Sequence, residues 1–289
     1  MRYSSLSEKG RRPNNEDVVF TRFDPRYPLI AAVSDGMGGH AAGEVASRIS
    51  IEALDMWTRE LTDAPQNVLV DAFFNANAQV ISVAEQERQY RGMGATMVAA
   101  IFYHDHFITA NIGDSRLYLV SEGEMRQVTF DHSYVQELVR RGFLTAEEAR
   151  SHPRKNVITR CIGTESSFEP DVFYTRWNPK DLVLLCSDGL CDVLTEADML
   201  DLIRQEPDLD ALCQKLFETA YERGSSDNIS LVWCATKGVW SCDPGYHRRQ
   251  VQSHPRDRQR RHGPRVSGHQ HVHPQGGGRE DAQGGVSER

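Results

Sequence analysis

Two segments constrain this chain more than any others. Pro28–Val33 (PLIAAV) and Asp181–Cys186 (DLVLLC) are short apolar runs, and each is followed at once by Ser-Asp-Gly, at 34–36 and at 187–189. A continuous apolar run of this length, without polar alternation, reads as a strand covered on both faces. A carboxylate at the end of such a strand has a rigid mount, and the glycine after it lets a ligand or a second backbone approach. The fold must bury two central strands and carry an aspartate to the end of each.

The rest of the body supplies the layers that bury them. From Gly43 to about Arg59, Val45, Ile49, Leu54 and Trp57 recur near helical spacing, and a second amphipathic stretch runs from Pro65 to Glu87 with the proline in its first turn. Three β-rich runs follow, Ala95–Tyr103, Phe107–Ile112 and Leu117–Val120, joined by tight connections at HDH and GDSR. Ser133–Arg141 and Thr145–Arg150 read as short helices, the second opened by the capping-box spacing of Thr145 and Glu148. Residues 151–164 form a polar connection. Glu196–Gln205 and Leu209–Arg223 read as helices and Ile229–Ala235 as the last strand. Helices early and late, with strands grouped between and around them, make an α+β order. No repeat of fixed period is visible.

Composition divides the chain. The net charge is −8 over 289 residues, yet the segment from Gly238 holds nine Arg, no Lys and five acids. The deficit therefore lies in residues 1–237, and an acidic body argues against binding a phosphate backbone while permitting a cation site. The tail 238–289 has no Leu, Ile, Phe or Met and is rich in Arg, His and Gly. It cannot build a core and is expected to be disordered. Its missing residue types fit an out-of-frame translation of GC-rich DNA. The six cysteines (161, 186, 191, 213, 234, 242) show no CxxC pair or zinc spacing and are expected to be reduced, mostly core thiols. No apolar run approaches the roughly 20 residues of a membrane span, and the first residues lack a signal peptide's apolar stretch. The expected location is the cytoplasm.

The acids carry the chemistry. Asp35 and Asp188 follow the two apolar runs. Asp114 lies in GDSR, Asp227 in GSSDN before the last strand, and Glu16-Asp17 near the start. Carboxylates brought together repel unless a cation neutralises them, and oxygen-only ligands select hard ions such as Mg²⁺ or Mn²⁺. Taken singly, Asp-Gly after a strand is also ordinary turn chemistry. Other phosphate chemistries lack their residues. There is no GxxxxGK[ST] loop, no Cys followed six residues on by Arg, no DxDx[TV] run and no GxSxG elbow. Gly36, Gly38 and Ala41 match a dinucleotide fingerprint only loosely, and Asp35 just before them would repel a pyrophosphate.

Six motifs stand in order: RPNNED (12–17), SDGMGGHAAGEVAS (34–47), MGATMV (93–98), NIGDSRLY (111–118), SDGLCD (187–192) and GSSDNISLV (224–232). In them, residues 1–237 resemble the metal-dependent protein phosphatases of the PPM family, the type 2C Ser/Thr phosphatases, in their compact bacterial form. The resemblance implies two packed antiparallel β-sheets flanked by helices on both faces, a four-layer αββα sandwich with the site in a cleft at one end. It implies two Mn²⁺ or Mg²⁺ ions in the core site and a weaker third. Asp35 matches the carboxylate bridging the two metals, Gly36 a backbone ligand, and Asp188 and Asp227 the other carboxylates of the first metal. Glu16 matches an acid reaching the second metal through water, and Asp17 an acid orienting metal-bound water. Asp114 and Asp192 match the third site. Arg12 matches the phosphate-binding arginine, while Arg11 is expected to stay solvated.

The activity so implied is hydrolysis of phosphoserine and phosphothreonine by a dimetal-bridging hydroxide, opposing a bacterial Ser/Thr kinase. Some members place a His directly after the first Asp-Gly. Here that position is Met37, and His40 becomes the candidate acid for the leaving group. Residues 130–164, with His132, His152, Asn156 and Arg160, match the family's flap, expected to influence substrate choice and third-metal affinity. The expected partners are phosphoprotein substrates and a kinase of the same pathway, with no nucleic acid and no membrane, acting on a monomer. Two alternatives share the fold: a catalytically inactive phosphoprotein-binding module and a small-molecule phosphoesterase.

Overall fold

The computed structural model describes residues 1–38, 42–61, 64–164 and 168–236. The readings of His40 and of the tail 238–289 lie outside these described residues. The strands are β1 (Arg2–Glu8), β2 (Asp17–Arg22), β3 (Leu29–Met37), β4 (Gly94–Ala95), β5 (Met97–Phe102), β6 (His106–Ile112), β7 (Arg116–Ser121), β8 (Glu124–Gln127), β9 (Asp171–Arg176), β10 (Leu182–Cys186) and β11 (Ile229–Ala235). The α-helices are α1 (Ala42–Trp57), α2 (Pro65–Gln86), α3 (Tyr134–Arg140), α4 (Ala146–Arg150), α5 (Asp188–Cys191), α6 (Glu196–Gln205) and α7 (Leu209–Glu222).

One sheet has the order β1-β11-β10-β7-β8, the other β2-β3-β5-β6-β9, with β4 paired to β3, and all pairings are antiparallel. Strand alternation sorts the apolar residues into three cores. In β3, Leu29, Ala31 and Val33 face the other sheet and, with Val98 and Phe107 of their own sheet, pack with Val183, Leu185 and Val232 across the interface. Ile30 and Ala32 turn the other way, toward Leu54, Leu69 and Phe73 of α1 and α2. In β10 and β11, Leu184 and Trp233 pack beneath α6 and α7 with Met199, Leu212 and Leu216. Helix, sheet, sheet and helix are thus four layers, and the central strands read as unbroken apolar runs because both of their faces are covered.

Structure and sequence reading differ at several elements. β3 does not stop at Ser34 but runs through Asp35 and Gly36 to Met37, because Gly36 and Met37 pair with Ala95 and Gly94. Strands β1, β2, β8 and β9 carry too few buried apolar residues to show in the sequence, and Arg2–Glu8 buries only Ser4 fully. Helix α5 was not expected. The capping box at α4 is present, the Thr145 hydroxyl accepting from the Glu148 amide and the Glu148 carboxylate from the Thr145 amide. Cys186, Cys191, Cys213 and Cys234 are buried free thiols, and Cys161 is a half-buried one. Among the described residues no helix is long and apolar enough to cross a membrane.

Candidate functional site

Extending β3 past Ser34 has a direct consequence. In the β2–β3 register Asp17 stands opposite Asp35, so two carboxylates from adjacent strands share one end of a sheet. Glu16 precedes Asp17 and is held by its backbone: its amide donates to Asn228 Oδ1 at 2.8 Å, and its carbonyl accepts from the Gly36 amide and the Ser47 hydroxyl. Gly36 and Gly43 are pressed together. A Cβ on Gly36 would lie 2.1 Å from the Gly43 carbonyl oxygen, and one on Gly43 would lie 2.5 Å from the Glu16 carboxylate. The Glu16 side chain therefore lies over the first turn of α1, where a negative charge suits the helix dipole.

The second sheet brings its own acids to the same place. Asp188 opens α5, and its carbonyl accepts the Asp192 amide at 2.8 Å. The Ser187 hydroxyl donates to Asp17 Oδ2 at 2.8 Å and accepts the Ser230 amide, tying the two sheets together at the acids. The loop before β11 presses on α5. A Cβ on Gly189 would stand 1.9 Å from the Asn228 carbonyl oxygen, and the Ser225 hydroxyl donates to the Gly189 carbonyl. This brings Asp227 beside Asp188. Asn228 then fastens the first loop: its Nδ2 donates to the carbonyls of Lys9 and Asn14 at 3.0 and 2.8 Å.

Asp114 enters between β6 and β7. Thr96 links it to Asp35, its amide donating to the Asp35 carbonyl while its hydroxyl bonds both the Asp35 amide and the Ser115 hydroxyl. His132 closes the other side. Its Nδ1 accepts the Gly113 amide at 3.1 Å, which places the ring proton on Nε2, 3.1 Å from Asp171. Arg116 of the same motif binds Asp131 through both Nε and Nη2. The sequence reading picked the acids but not Thr96, Ser187 or Asn228. They lie inside the quoted motifs; Ser187 and Asn228 are marked there as small polar residues next to an acid, whereas Thr96, between Ala95 and Met97, carries no such signal.

Electrostatics shows that these acids act on one another. Burial first, then the charges of Asp17, Asp188, Asp114 and Asp227, raises Asp35 well above the usual carboxylate range. Burial followed by Asp114, Asp192, Asp227 and Asp17 does the same to Asp188. Burial lifts Asp17 to about 6 and Asp114 to about 7, with neighbouring carboxylates adding to both. One oxygen each of Asp17, Asp114 and Asp188 is buried without a hydrogen-bond partner. Such orphaned, mutually repelling oxygens fit a hard cation. Among the described residues, however, no three His, Cys, Asp or Glu side chains close into a ready-made metal cage.

Two cationic side chains stand on the acids. Arg12 Nη2 is 2.6 Å from Asp227 Oδ2, and its Nε donates to the Ser226 carbonyl. Its side chain is 51% exposed, so the guanidinium is reachable from solvent. Lys155, from the segment 130–164, lies 2.6 Å from Asp192 Oδ2. Arg11 is exposed but not simply solvated, since it stacks over the Tyr221 ring and donates to the Tyr221 carbonyl.

The structure thus brings together Glu16, Asp17, Asp35, Gly36, Asp114, Asp188 and Asp227, with Asp192 acting on the group and Arg12 at its rim. The family model of protein phosphatase 2C matches residues 28–229. The serine/threonine phosphatase stp of Listeria innocua is 39% identical over 234 residues, spanning 78% of this chain and 92% of that protein. The crystal structure of the Mycobacterium tuberculosis serine/threonine phosphatase PstP/Ppp superposes with a TM-score of 0.75 at 36% identity, over 81% of this chain and 98% of that one. A PstP catalytic domain in complex with two manganese ions superposes with a TM-score of 0.72 at 35% identity, over 80% of this chain and 96% of that one. With the motifs, the two-sheet fold and the coupled acids all in agreement, the chain belongs to the protein phosphatase 2C family of metal-dependent serine/threonine phosphatases.

Proposed function

We propose that this chain removes phosphate from phosphoserine and phosphothreonine of proteins, in opposition to a Ser/Thr kinase of the same pathway. The observation that carries the reading is the cross-strand pair Asp17 and Asp35 at the centre of a buried acid group whose charges raise one another. Asp35, Asp188, Asp227, the Gly36 carbonyl and, through water, Glu16 would hold two Mn²⁺ or Mg²⁺ ions. Asp114 and Asp192 would hold a weaker third. When bound, such ions neutralise the carboxylates and make a water acidic enough to act as a nucleophile near neutral pH.

The chain's own groups do the rest. Arg12 offers a planar fork to two phosphate oxygens, orients the ester and stabilises charge as the bond breaks. Asp17, fixed by Ser187, turns its second oxygen toward the attacking water. Water attacks phosphorus in line, the ester P–O bond breaks, and the serine or threonine oxygen leaves with a proton, for which His40 is the candidate donor. Residues 1–237 form the catalytic unit in this reading, with 130–164 as a flap. The protein works as a cytoplasmic monomer without nucleic acid or membrane.

The test is phosphate release from a phosphothreonine peptide, with Mn²⁺ and with EDTA, on the full chain and on one ending at Lys237. Release that needs Mn²⁺, persists without the tail and vanishes in a folded Asp35→Asn variant is expected. Equal release by Asp35→Asn at saturating Mn²⁺ would remove Asp35 from its central place. Faster turnover of a nucleotide than of the peptide would point to small-molecule substrates.

A further inference from the structure

The segment 130–164 is fastened to the acid site by positive charge. Its anchor on the far side is Arg160, which bonds the Glu169 carbonyl and Asp171. On the near side two cations reach α5, the helix that carries Asp188. Arg150 donates to the Cys191 carbonyl at 3.1 Å, at the negative end of that short helix. Lys155 sits in the turn after α4, its amide donating to the His152 carbonyl, and sets its ammonium 2.6 Å from Asp192 Oδ2. Asp192 is no isolated surface acid. Its charge acts on both Asp188 and Asp114. Asp114 is only 8% exposed, and one of its oxygens is buried without a partner.

We infer that Lys155 is a tethered cation that competes with a divalent ion for Asp192, so that loading the outermost cation position releases the flap from α5. The inference rests on the cation-binding reading of the cleft. An ammonium held against Asp192 Oδ2 repels a divalent ion brought to the same carboxylate, so each weakens the binding of the other. The ion pair is part-exposed, with side-chain exposures of 38% and 32%, so water and salt weaken it. A contact of that strength suits a latch that millimolar cation can open. Arg150 does not take part in the exchange, because it binds carbonyl oxygens rather than a candidate ligand.

The experiment is a calorimetric Mn²⁺ titration of the full chain, together with amide hydrogen exchange over 151–158 with and without Mn²⁺. It compares the parent protein with Lys155→Met and Lys155→Arg. In the parent, exchange of the turn should quicken only as the weakest Mn²⁺ position fills. In Lys155→Met it should be fast without metal, and the weakest dissociation constant should fall about fivefold, the size of a part-exposed ion pair. Lys155→Arg keeps the charge and should follow the parent. An unchanged weakest constant in Lys155→Met, or a Lys155→Arg that behaves like Lys155→Met, would overturn the competition while leaving the tight sites and the phosphatase reading intact. Absence of any Mn²⁺ binding in the parent would overturn both.

Discussion

Asp17 and Asp35 are direct cross-strand partners in β2 and β3. Two like charges opposite one another weaken a sheet, and burial of both makes the repulsion stronger. A stable sheet tolerates such a pair only when a proton or a bound cation removes the charge. Burial and neighbouring carboxylates lift Asp17 to about 6 and hold Asp35 well above the usual carboxylate range. With the cations of the proposed function, this sheet end is a place where stability and cation binding would be coupled.

This coupling sets a pH dependence. In the unfolded chain these carboxyls ionise near 4. In the folded, metal-free chain Asp17 keeps its proton to about 6 and Asp114 to about 7. Between those limits the folded state binds more protons, so its stability is full below about pH 4 and declines as pH rises through about 6 to 7. Thermal unfolding in EDTA should give a lower Tm at pH 8 than at pH 5, and Mn²⁺ should raise Tm more at pH 8. A Tm in EDTA that does not fall between these pH values would show that the acids are not compressed against one another.

Asn228 organises the loop that delivers Glu16 and Asp17. It is 4% exposed and bonds the Glu16 amide and the carbonyls of Lys9 and Asn14. Asn228→Ala leaves those groups without partners and should cost about 2–3 kcal/mol in urea unfolding. Because the loop also shifts, kcat/KM should fall about a hundredfold even at saturating Mn²⁺. Loss of stability with full kcat/KM would show that the loop holds its place unaided.

Gly189 is required by contact, not by a turn. The Cβ of Gly189→Ala would stand 1.9 Å from the Asn228 carbonyl oxygen, an atom of fixed backbone. The two loops that carry Asp188 and Asp227 would have to part, at a cost of about 3 kcal/mol. Chemical denaturation should show this as a lower midpoint with an unchanged slope. The same change at Gly92, where a Cβ meets nothing within 4 Å, should cost only the strain of its positive φ.

In the proposed function Arg12 serves phosphate binding more than turnover. Its guanidinium engages Asp227 and the Ser226 carbonyl at once, a fork that a lysine cannot reproduce. Arg12→Lys should raise KM for a phosphopeptide about tenfold, the worth of one charged hydrogen bond, with a smaller change in kcat. Steady-state kinetics decide it, and an unchanged KM would remove Arg12 from phosphate binding.

Much of this site is legible in the residues themselves. Two apolar runs ending in Ser-Asp-Gly locate Asp35 and Asp188, because strands covered on both faces must be apolar throughout, and an acid after one stands out. Local chemistry also marks α6 to the residue and the Thr145 cap of α4, since capping and helical spacing act within one turn. The half-exposed strands β1, β2, β8 and β9 leave no such mark. Their pairing comes from neighbours distant in the chain, as Arg2–Glu8 lies along Ile229–Ala235.

Six short motifs carry the family resemblance in the residues alone, because a motif depends on residue type and short-range pattern, and the layer order and most of the acid assignments came through that resemblance. Three relationships needed the folded chain: Asp17 faces Asp35, Asn228 clasps Glu16 across 212 positions, and Lys155 rather than a neighbour reaches Asp192. Strand register and loop contact join residues far apart in sequence. Their energies arise from burial and mutual charge, which exist only once the chain has closed on itself.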